Sequence, residues 1–338
     1  MYQAFYNLKE QPFRLTPDPA FIYMTANHQE ALAGLVYSIC TRPGLTVLTG
    51  EAGTGKTTLL YALLELLEKR RFVTALCTNP VLSREELFDS LMLTFGIKCS
   101  SSLKSRQLMA LQETLLRNRA DGRPSVLIVD EAHRLSLELL EEIRLLLNLE
   151  TPREKLLQII IAGQPELTDI LNRPELRQFK QRVSCQCKLK PLSVAELKEY
   201  IDHRLNQAGL PQQTLFSNAV THRIHEVTEG IPRLVNSLCD GSLQTGFAVQ
   251  SACITTAIVD EVAKDLDLIR QAPSEGFRMN EPVLASVSAK PTNGHAAAEI
   301  EKNGNGNTRP VEGKVPLEGY ANRQKSLNFF ANLMDRWK

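Results

Sequence analysis

The sequence predicts an α/β protein built on a parallel sheet flanked by helices, followed by a small all-helical domain and a flexible C-terminal tail. Three observations support this prediction. Short β-rich runs alternate with helical patterns from residue 45 to 191, residues 192–268 contain helical patterns alone, and the composition of a buried core is lost beyond residue 269. The 338 residues are enough for two ordinary domains and a tail.

The strands and the helix before them can be placed from local composition. The first 44 residues mix aromatic residues with turn residues, and a helix is expected to begin near Asn27. Three of the five β-rich runs that follow are almost wholly apolar, as in strands covered by helices on both faces. Such runs, separated by helical patterns, predict a parallel sheet with right-handed crossovers. The five runs are residues 45–49, 73–77, 125–129, 157–162 and 183–189.

Capping signals predict the helices of the second domain. Ser193 and Glu196 form a capping-box pattern, so a helix should begin there and continue to Arg204. Three further helices are expected on the same grounds: over residues 217–228, after Pro232, and from near Thr255.

These patterns place the first domain at residues 1–191 and the helical domain at 192–268. Residues 269–318 are rich in proline, glycine and asparagine and predict a flexible linker. Residues 319–338 predict an amphipathic helix, which would dock on a protein partner, lie on a membrane surface or fold back on its own domain. Its apolar face carries Leu327, Phe330, Leu333, Met334 and Trp337.

A glycine-rich loop follows the first predicted strand. Glycines let successive backbone N–H groups face phosphate oxygens, and the helix that follows adds the positive end of its dipole. Lys56 would reach the β- and γ-phosphates of ATP, and the Thr57 hydroxyl would bind Mg²⁺. The loop reads Gly50-Glu51-Ala52-Gly53-Thr54-Gly55-Lys56-Thr57, which matches the phosphate-binding pattern GxxxxGK[ST], the Walker A motif.

Two carboxylates end the third predicted strand. Asp130 and Glu131 follow the apolar run 125–129, which is the Walker B arrangement. Asp130 would hold the Mg²⁺ shell and Glu131 would orient and polarise the attacking water, whereas a solvated loop acid is the alternative for Glu131. With Ala132 and His133 the pair also matches a box of one class of RNA helicases. Those enzymes need a second RecA-like domain, and the second domain here is helical, so we treat that match as a coincidence.

Several short runs together resemble one AAA+ family, the ExeA-type ATPases or general secretion pathway A proteins. The resemblance covers about residues 1–268. It implies an ATPase module followed by a helical lid, with ATP and Mg²⁺ between them. Relatives of this family include ATPases that accompany transposases and ATPases of exosortase gene clusters. The runs are Phe5-Tyr6-Asn7-Leu8, Pro12-Phe13, Asp18-Pro19, Phe21, the loop from Gly50 to Thr58, Asp130-Glu131-Ala132-His133, Gly163-Gln164-Pro165-Glu166-Leu167, Pro191-Leu192-Ser193 and Gly230-Ile231-Pro232-Arg233.

The resemblance implies roles for four further residues. Gln164, after the fourth strand, would touch the γ-phosphate or the attacking water, although a solvent-facing residue is the alternative. Arg233, in the first turn of its helix, would point back at the nucleotide, and its forked guanidinium suits phosphate binding. Arg182 is the first candidate, and Arg177 the second, for an arginine finger that reaches a neighbouring subunit's site. For either, a surface arginine is the alternative.

Composition limits the cellular setting. The formal net charge of +1 gives no overall attraction to nucleic acid or membrane. The seven cysteines are odd in number and include no CxxC pair, which indicates a reducing compartment. Neither a signal-like N-terminus nor a long uncharged apolar run is found in the sequence. We therefore expect the protein in the cytoplasm, either free or peripherally bound at the inner membrane.

Three functions remain open from the sequence. The first is a homo-oligomeric AAA+ ATPase, a ring or filament, that drives assembly or remodelling of a bacterial secretion, envelope or polysaccharide-export complex. The C-terminal helix would contact that complex. The second is a DNA-dependent ATPase assisting transposition or another DNA transaction. The third is a nucleotide-gated scaffold with very slow turnover, against which the complete set of Walker residues argues.

Overall fold

The computed structural model describes residues 1–16, 21, 23–41, 44–78, 83–99, 101, 103–210 and 215–269. In this part of the chain it holds a five-stranded parallel sheet flanked by helices and followed by a helical bundle. The predicted fold class is therefore confirmed. The expected linker and amphipathic helix beyond residue 269 lie outside the described residues.

The strands are β1 (Leu45–Thr49), β2 (Val73–Cys77), β3 (Ser125–Val129), β4 (Leu157–Gly163) and β5 (Val183–Lys188). Each one forms where the sequence predicts it, with β4 one residue longer and β5 one residue shorter than expected. Their spatial order is β2-β3-β4-β1-β5, and every neighbouring pair is parallel. The strand β4 thus lies between β3 and β1.

The strand β3 is buried on both of its faces. Leu127 and Val129 belong to one hydrophobic cluster, whereas Val126 and Ile128 point to the opposite face because side chains alternate along a strand. None of the four is more than 1% exposed. Burial on both sides explains why this run contains apolar residues without the alternation of a half-exposed strand.

The helices of the first domain begin at recognisable local signals. Ser83 and Glu86 form a capping box, and the Ser136 hydroxyl accepts the backbone N–H of Leu139. None of the helices in the described residues is both long and apolar enough to cross a bilayer. These helices are α1 (Tyr2–Phe5), α2 (Ala26–Thr41), α3 (Lys56–Lys69), α4 (Arg84–Thr94), α5 (Lys104–Ala120), α6 (Leu137–Leu146), α7 (Glu166–Leu171) and α8 (Arg177–Lys180).

The helical bundle consists of α9 (Val194–Gln207), α10 (Asn218–Thr228), α11 (Pro232–Ala248) and α12 (Thr256–Asp265). The expected capping box opens α9: the Ser193 hydroxyl accepts the N–H of Glu196 at 3.4 Å, and the Glu196 carboxylate accepts the N–H of Ser193 at 2.9 Å. Pro232 occupies the first turn of α11, where a missing N–H leaves no hydrogen bond unmade.

The N-terminal segment (residues 1–24) contributes aromatic side chains to the core of the helical bundle. Tyr2, Tyr6, Phe13 and Phe21 are at most 7% exposed and belong to the same hydrophobic cluster as the bundle. The ring of Phe13 packs edge-to-face on Phe216, with 6.0 Å between centroids. A segment that we assign to the first domain by sequence position therefore buries these side chains against the second.

The connection between β5 and the helical bundle requires a glycine. The backbone N–H of Leu192 donates to the carbonyl of Gly230 at 2.8 Å. Gly230 has φ +73°, and a Cβ atom at this position would lie 2.0 Å from the Leu192 carbonyl oxygen. Both the left-handed backbone and the close approach exclude a larger residue.

Replacing Gly230 by alanine should destabilise the protein more than the same change at Gly96. Gly96 has φ +67° but no atom within 4 Å of an added Cβ. Gly96→Ala therefore measures only the cost of a left-handed backbone at a non-glycine residue, about 1–2 kcal/mol of unfolding free energy. Gly230→Ala also disrupts the hydrogen bond to Leu192 and should lose at least about 2 kcal/mol more. Urea unfolding followed by circular dichroism measures both free energies. Equal losses would show that Leu192 moves aside freely.

Candidate active site

The strand order brings the predicted site residues to one edge of the sheet. In a parallel sheet the carboxyl ends of β1, β4 and β3 lie together. The phosphate-binding loop (residues 50–57) follows β1, Asp130 and Glu131 follow β3, and Gln164 follows β4. Thr49 pairs with Gly163, so the loop and Gln164 begin at the same level.

The phosphate-binding loop holds its lysine on carbonyl oxygens. Lys56 Nζ donates to the carbonyls of Gly50 at 2.8 Å and Glu51 at 3.0 Å. Burial lowers the pKa of Lys56, and the carboxylates of Glu131 and Asp130 act in the opposite direction. In place of these neutral carbonyls, phosphate oxygens would give the buried ammonium charged acceptors. The loop therefore fits a nucleoside triphosphate.

His28 supports the phosphate-binding loop from α2. Its Nε2 lies 3.0 Å from the Thr54 carbonyl oxygen, and its Nδ1 lies 2.7 Å from the Thr25 hydroxyl. A carbonyl only accepts hydrogen bonds, so Nε2 carries the proton and Nδ1 accepts from Thr25. Burial lowers the pKa of His28, which favours this neutral ring. The loop is therefore fixed by a hydrogen bond that needs no charge.

Thr57 and Asp130 form a pair of oxygen groups beside the loop. The Thr57 hydroxyl donates to Asp130 Oδ2 at 2.7 Å, and Asp130 Oδ1 accepts the backbone N–H of Glu131 at 2.8 Å. Asp130 is only 3% exposed. Hydroxyl and carboxylate oxygens are ligands that Mg²⁺ prefers, and this ion usually completes its shell with water and phosphate oxygens. The residues present therefore fit Mg²⁺.

His133 bridges two of the predicted residues. Its Nε2 lies 3.6 Å from Glu131 Oε2 and 3.1 Å from Gln164 Nε2, and the backbone N–H of Gln164 donates to Nδ1 at 3.4 Å. Glu131 has φ +53°, an unusual backbone conformation for a glutamate and one that is found preferentially at functional sites. The imidazole thus connects the ends of β3 and β4.

A cavity of about 600 Å³ lies between the sheet edge, the N-terminal segment and the helical bundle. Gly50 and Glu51 do not line it but hold Lys56, and Asp130 lies behind Thr57. The predicted residues that line the cavity are Ala52, Gly53, Thr54, Gly55, Lys56, Thr57, Thr58, Glu131, Gln164 and Arg233.

Arg233 brings the helical bundle into contact with the loop. Its backbone N–H donates to the Gly53 carbonyl at 3.3 Å. A Cβ atom on Gly53 would lie 2.7 Å from that of Arg233, so the contact depends on the glycine. The first turn of α11 therefore meets the phosphate-binding loop directly, and the exposed guanidinium of Arg233 lines the cavity.

The two arginines proposed as fingers lie away from this cavity. Arg177 and Arg182 are exposed and are not among its lining residues. Arg182 directly precedes β5, whose first residue, Val183, pairs with Leu45 at the start of β1. Arg182 therefore lies at the amino edge of the sheet, whereas the loop lies at the carboxyl edge. The structure does not bring it to the site of its own chain.

Four polar residues at the cavity were not assigned a role from the sequence: His133, Tyr200, Arg204 and Asn236. For His133 a signal was present, the four-residue box that it shares with helicases. For the other three the sequence carries no motif, and the contact of Tyr200 with Asn236 joins residues 36 positions apart. His28 was weighed as a residue of the adenine pocket or of a packed surface, and it lines the cavity.

Comparisons with known proteins show similarities in sequence. Residues 40–171 match the family model of the AAA domain. The chain is 39% identical over 271 residues to general secretion pathway protein A of Aeromonas hydrophila, an alignment that covers 80% of this chain and 49% of that protein. The chain thus spans about half the length of this curated relative.

Solved structures share the fold at low sequence identity. Cdc6p from Pyrobaculum aerophilum superposes with a TM-score of 0.57 at 18% identity, over 74% of this chain and 71% of that one. Drosophila ORC bound to DNA gives a TM-score of 0.59 at 17% identity, over 79% and 66% of the two chains. Residues 40–171 are therefore similar in sequence to an AAA domain, and the parallel sheet with its flanking helices has the same fold as these solved structures.

Proposed function

We propose that this chain is an ATP hydrolase that binds ATP and Mg²⁺ in the cavity and acts as a homo-oligomer. The observation that supports the proposal most is the meeting of three elements at one sheet edge: the phosphate-binding loop, the Thr57–Asp130 pair and Glu131. A glycine-rich turn that only connects a strand to a helix would not require the Thr57–Asp130 pair or Glu131 beside it. The cavity also has the volume of an ordinary small-molecule site.

Each residue has a defined task in this mechanism. Lys56 and the N–H groups of the loop bind the phosphates, and Arg233 adds a second cation from the helical bundle. Thr57 and Asp130 would hold Mg²⁺, which would neutralise charge on the phosphate oxygens. Glu131 orients the attacking water and accepts its proton.

The process powered by ATP is proposed from the curated relative. Its name associates that protein with general secretion. We propose that the cycle drives assembly or remodelling of a bacterial secretion, envelope or polysaccharide-export complex. The segment 319–338 would contact that complex at the cytoplasmic side of the inner membrane, either through a protein or through lipid.

A DNA-dependent ATPase is the alternative, and one surface supports it. Arg173, Arg177, Lys180 and Arg182 are all exposed and lie within ten residues of one another, so they could contact phosphates. Duplex DNA added to an ATPase assay separates the two functions. Strong, salt-sensitive stimulation supports the DNA function, and a rate that ignores DNA at low salt supports action on a protein complex.

Glu131→Gln should abolish turnover while ATP still binds. Loss of the group that accepts the proton lowers the rate by at least about 100-fold, whereas the contacts to the phosphates remain. Steady-state hydrolysis and calorimetric ATP titration measure the two effects, with Lys56→Ala as the blank for both. Glu113→Gln, the same change at an exposed site on α5, is the matched control. Retained turnover in Glu131→Gln would remove this residue from the mechanism.

His133 should act as a positioning residue for Glu131 and Gln164. His133→Ala and Gln164→Ala are each expected to lower kcat by about 10- to 100-fold with little change in KM, because misplacement by a fraction of an ångström is enough. The double variant should be no slower than the slower single variant, since His133→Ala already removes the contact that positions Gln164. Additive losses would mean that the two side chains act independently.

Arg182 should complete the site of a neighbouring subunit. Arg182→Ala is expected to lose about 10³-fold or more in rate, and the wild-type specific rate should rise with protein concentration. Mixing Arg182→Ala with Glu131→Gln restores about one quarter of the rate, since random assembly leaves one interface in four intact. The same mixture with Arg177→Ala tests the second candidate. A mixture no faster than its separate components would exclude a finger acting between subunits.

A further inference from the structure

Three buried side chains form a hydrogen-bonded relay in the cavity wall that the helical bundle provides. Arg204 Nη1 donates to the Tyr200 hydroxyl at 2.9 Å, and this hydroxyl donates to Asn236 Oδ1 at 2.8 Å. All three residues line the cavity, and none is more than 8% exposed. Two of them belong to α9 and the third to α11, so the relay also joins two helices of the bundle.

The direction of this relay is fixed by chemistry. A guanidinium has no acceptor, so Arg204 must donate and the Tyr200 hydroxyl must accept. The single hydrogen of that hydroxyl is then available for Asn236, and only the carboxamide oxygen can accept it. If the oxygen and nitrogen of Asn236 were exchanged, the Tyr200 hydroxyl would accept from both neighbours, and its own hydrogen would have no acceptor among the described residues. The Nδ2 group of Asn236, with two hydrogens, is left on the other side of the carboxamide.

Arg204 is held in place by oxygen acceptors and aromatic rings. Its Nε donates to the Pro12 carbonyl at 2.5 Å, Nη2 donates to the Arg14 carbonyl at 3.4 Å, and the guanidinium lies 5.3 Å from the centroid of the Phe21 ring. Within the described residues, no carboxylate forms an ion pair with it. The cation thus fixes the N-terminal segment and the start of the relay at the same time.

The relay uses the Oδ1 atom of Asn236 and leaves its Nδ2 group free to donate elsewhere. The structure records no hydrogen-bond partner for it among the described residues. It is not one of the fully buried side-chain atoms that lack a partner, so we infer that it is accessible from the cavity that Asn236 lines. A molecule bound in this cavity could therefore accept its hydrogen bond.

The position of Asn236 indicates which part of a nucleotide it faces. It lies one helical turn beyond Arg233, the residue that touches the phosphate-binding loop. With the triphosphate on the loop, this wall faces the nucleoside half. Phe21, Met24 and Leu192 line the same cavity and offer the apolar surface that a flat ring needs.

We propose that Asn236 determines specificity by donating a hydrogen bond from Nδ2 to an acceptor nitrogen of the purine ring. Tyr200 and Arg204 are positioning residues that keep the donor turned toward the base. The assignment rests on the proposed function, since it requires a nucleotide in the cavity. Adenine carries three such acceptors, N1, N3 and N7, and the relay predicts that one of them is bound.

The test compares ATP with its 1-deaza, 3-deaza and 7-deaza analogues, each of which replaces one acceptor nitrogen by C–H. Dissociation constants are measured calorimetrically for wild type and Asn236→Leu. Wild type should bind one analogue roughly 5- to 10-fold more weakly than ATP. Asn236→Leu should bind ATP more weakly by a similar factor and no longer distinguish that analogue. Tyr200→Phe, which frees the carboxamide to turn, should reduce the discrimination.

Asn218→Leu is the matched control, because Asn218 is exposed on α10 and does not line the cavity. It should discriminate as wild type does, and thermal unfolding of each variant shows that it is folded. Equal binding of all four nucleotides by wild type would overturn the assignment while leaving ATP binding intact. Discrimination that persists in Asn236→Leu would overturn it too. Failure of wild type to bind ATP at all would instead overturn the proposed function, and this assignment with it.

Discussion

The position of β4 between β1 and β3 is the constraint on which the candidate site depends. The loop motif and the paired carboxylates are far apart in the sequence, and only this strand order makes them neighbours. The register matters as well as the order, since Val129 pairs with Ile161 and Thr49 with Gly163. A slip of one residue would move every side chain of a strand to the other face of the sheet, and the close packing of β3 on both faces opposes such a slip. The hydrophobic core thereby fixes the geometry of the polar edge.

The phosphate-binding loop is held from two sides, which determines where its N–H groups point. The Thr54 carbonyl contacts His28 of α2, and the Gly53 carbonyl accepts from Arg233 of the helical bundle. A planar trans peptide places C=O and N–H on opposite sides, so the N–H of Gly55 points away from His28. The loop is therefore shaped by its surroundings and not by its glycines alone. The helical bundle thus contacts the loop through the backbone of Arg233, and the side chain of this residue lines the same cavity.

The sequence predicted what local patterns encode. The apolar run of β3, the capping box at Ser193 and the phosphate-binding loop depend on residues within a few positions of one another, and each was found where expected. The contacts between walls of the cavity were not predicted. His133 meets Gln164 across 31 residues, Tyr200 meets Asn236 across 36, and Arg204 meets Pro12 across 192. Neither hydrophobic periodicity nor a local motif indicates such pairs, because they form only when distant parts of the chain pack together. The aromatic residues near the N-terminus were noticed, but not their burial in the helical bundle.

The placement of Arg182 restricts the kind of oligomer that could use it. Arg182 lies at the amino edge of the sheet and the phosphate-binding loop at the carboxyl edge, so the two cannot both lie in one small self-complementary patch. A two-fold dimer buries the same patch on both subunits and would not join these edges. A head-to-tail interface joins two different surfaces, so one subunit of a pair keeps the first surface free and the other keeps the second. Further subunits can bind there, which produces a ring or a filament. If Arg182 serves a neighbour's site, the rate of hydrolysis then depends on assembly. In that arrangement the next subunit would add a positive charge to those of Lys56 and Arg233.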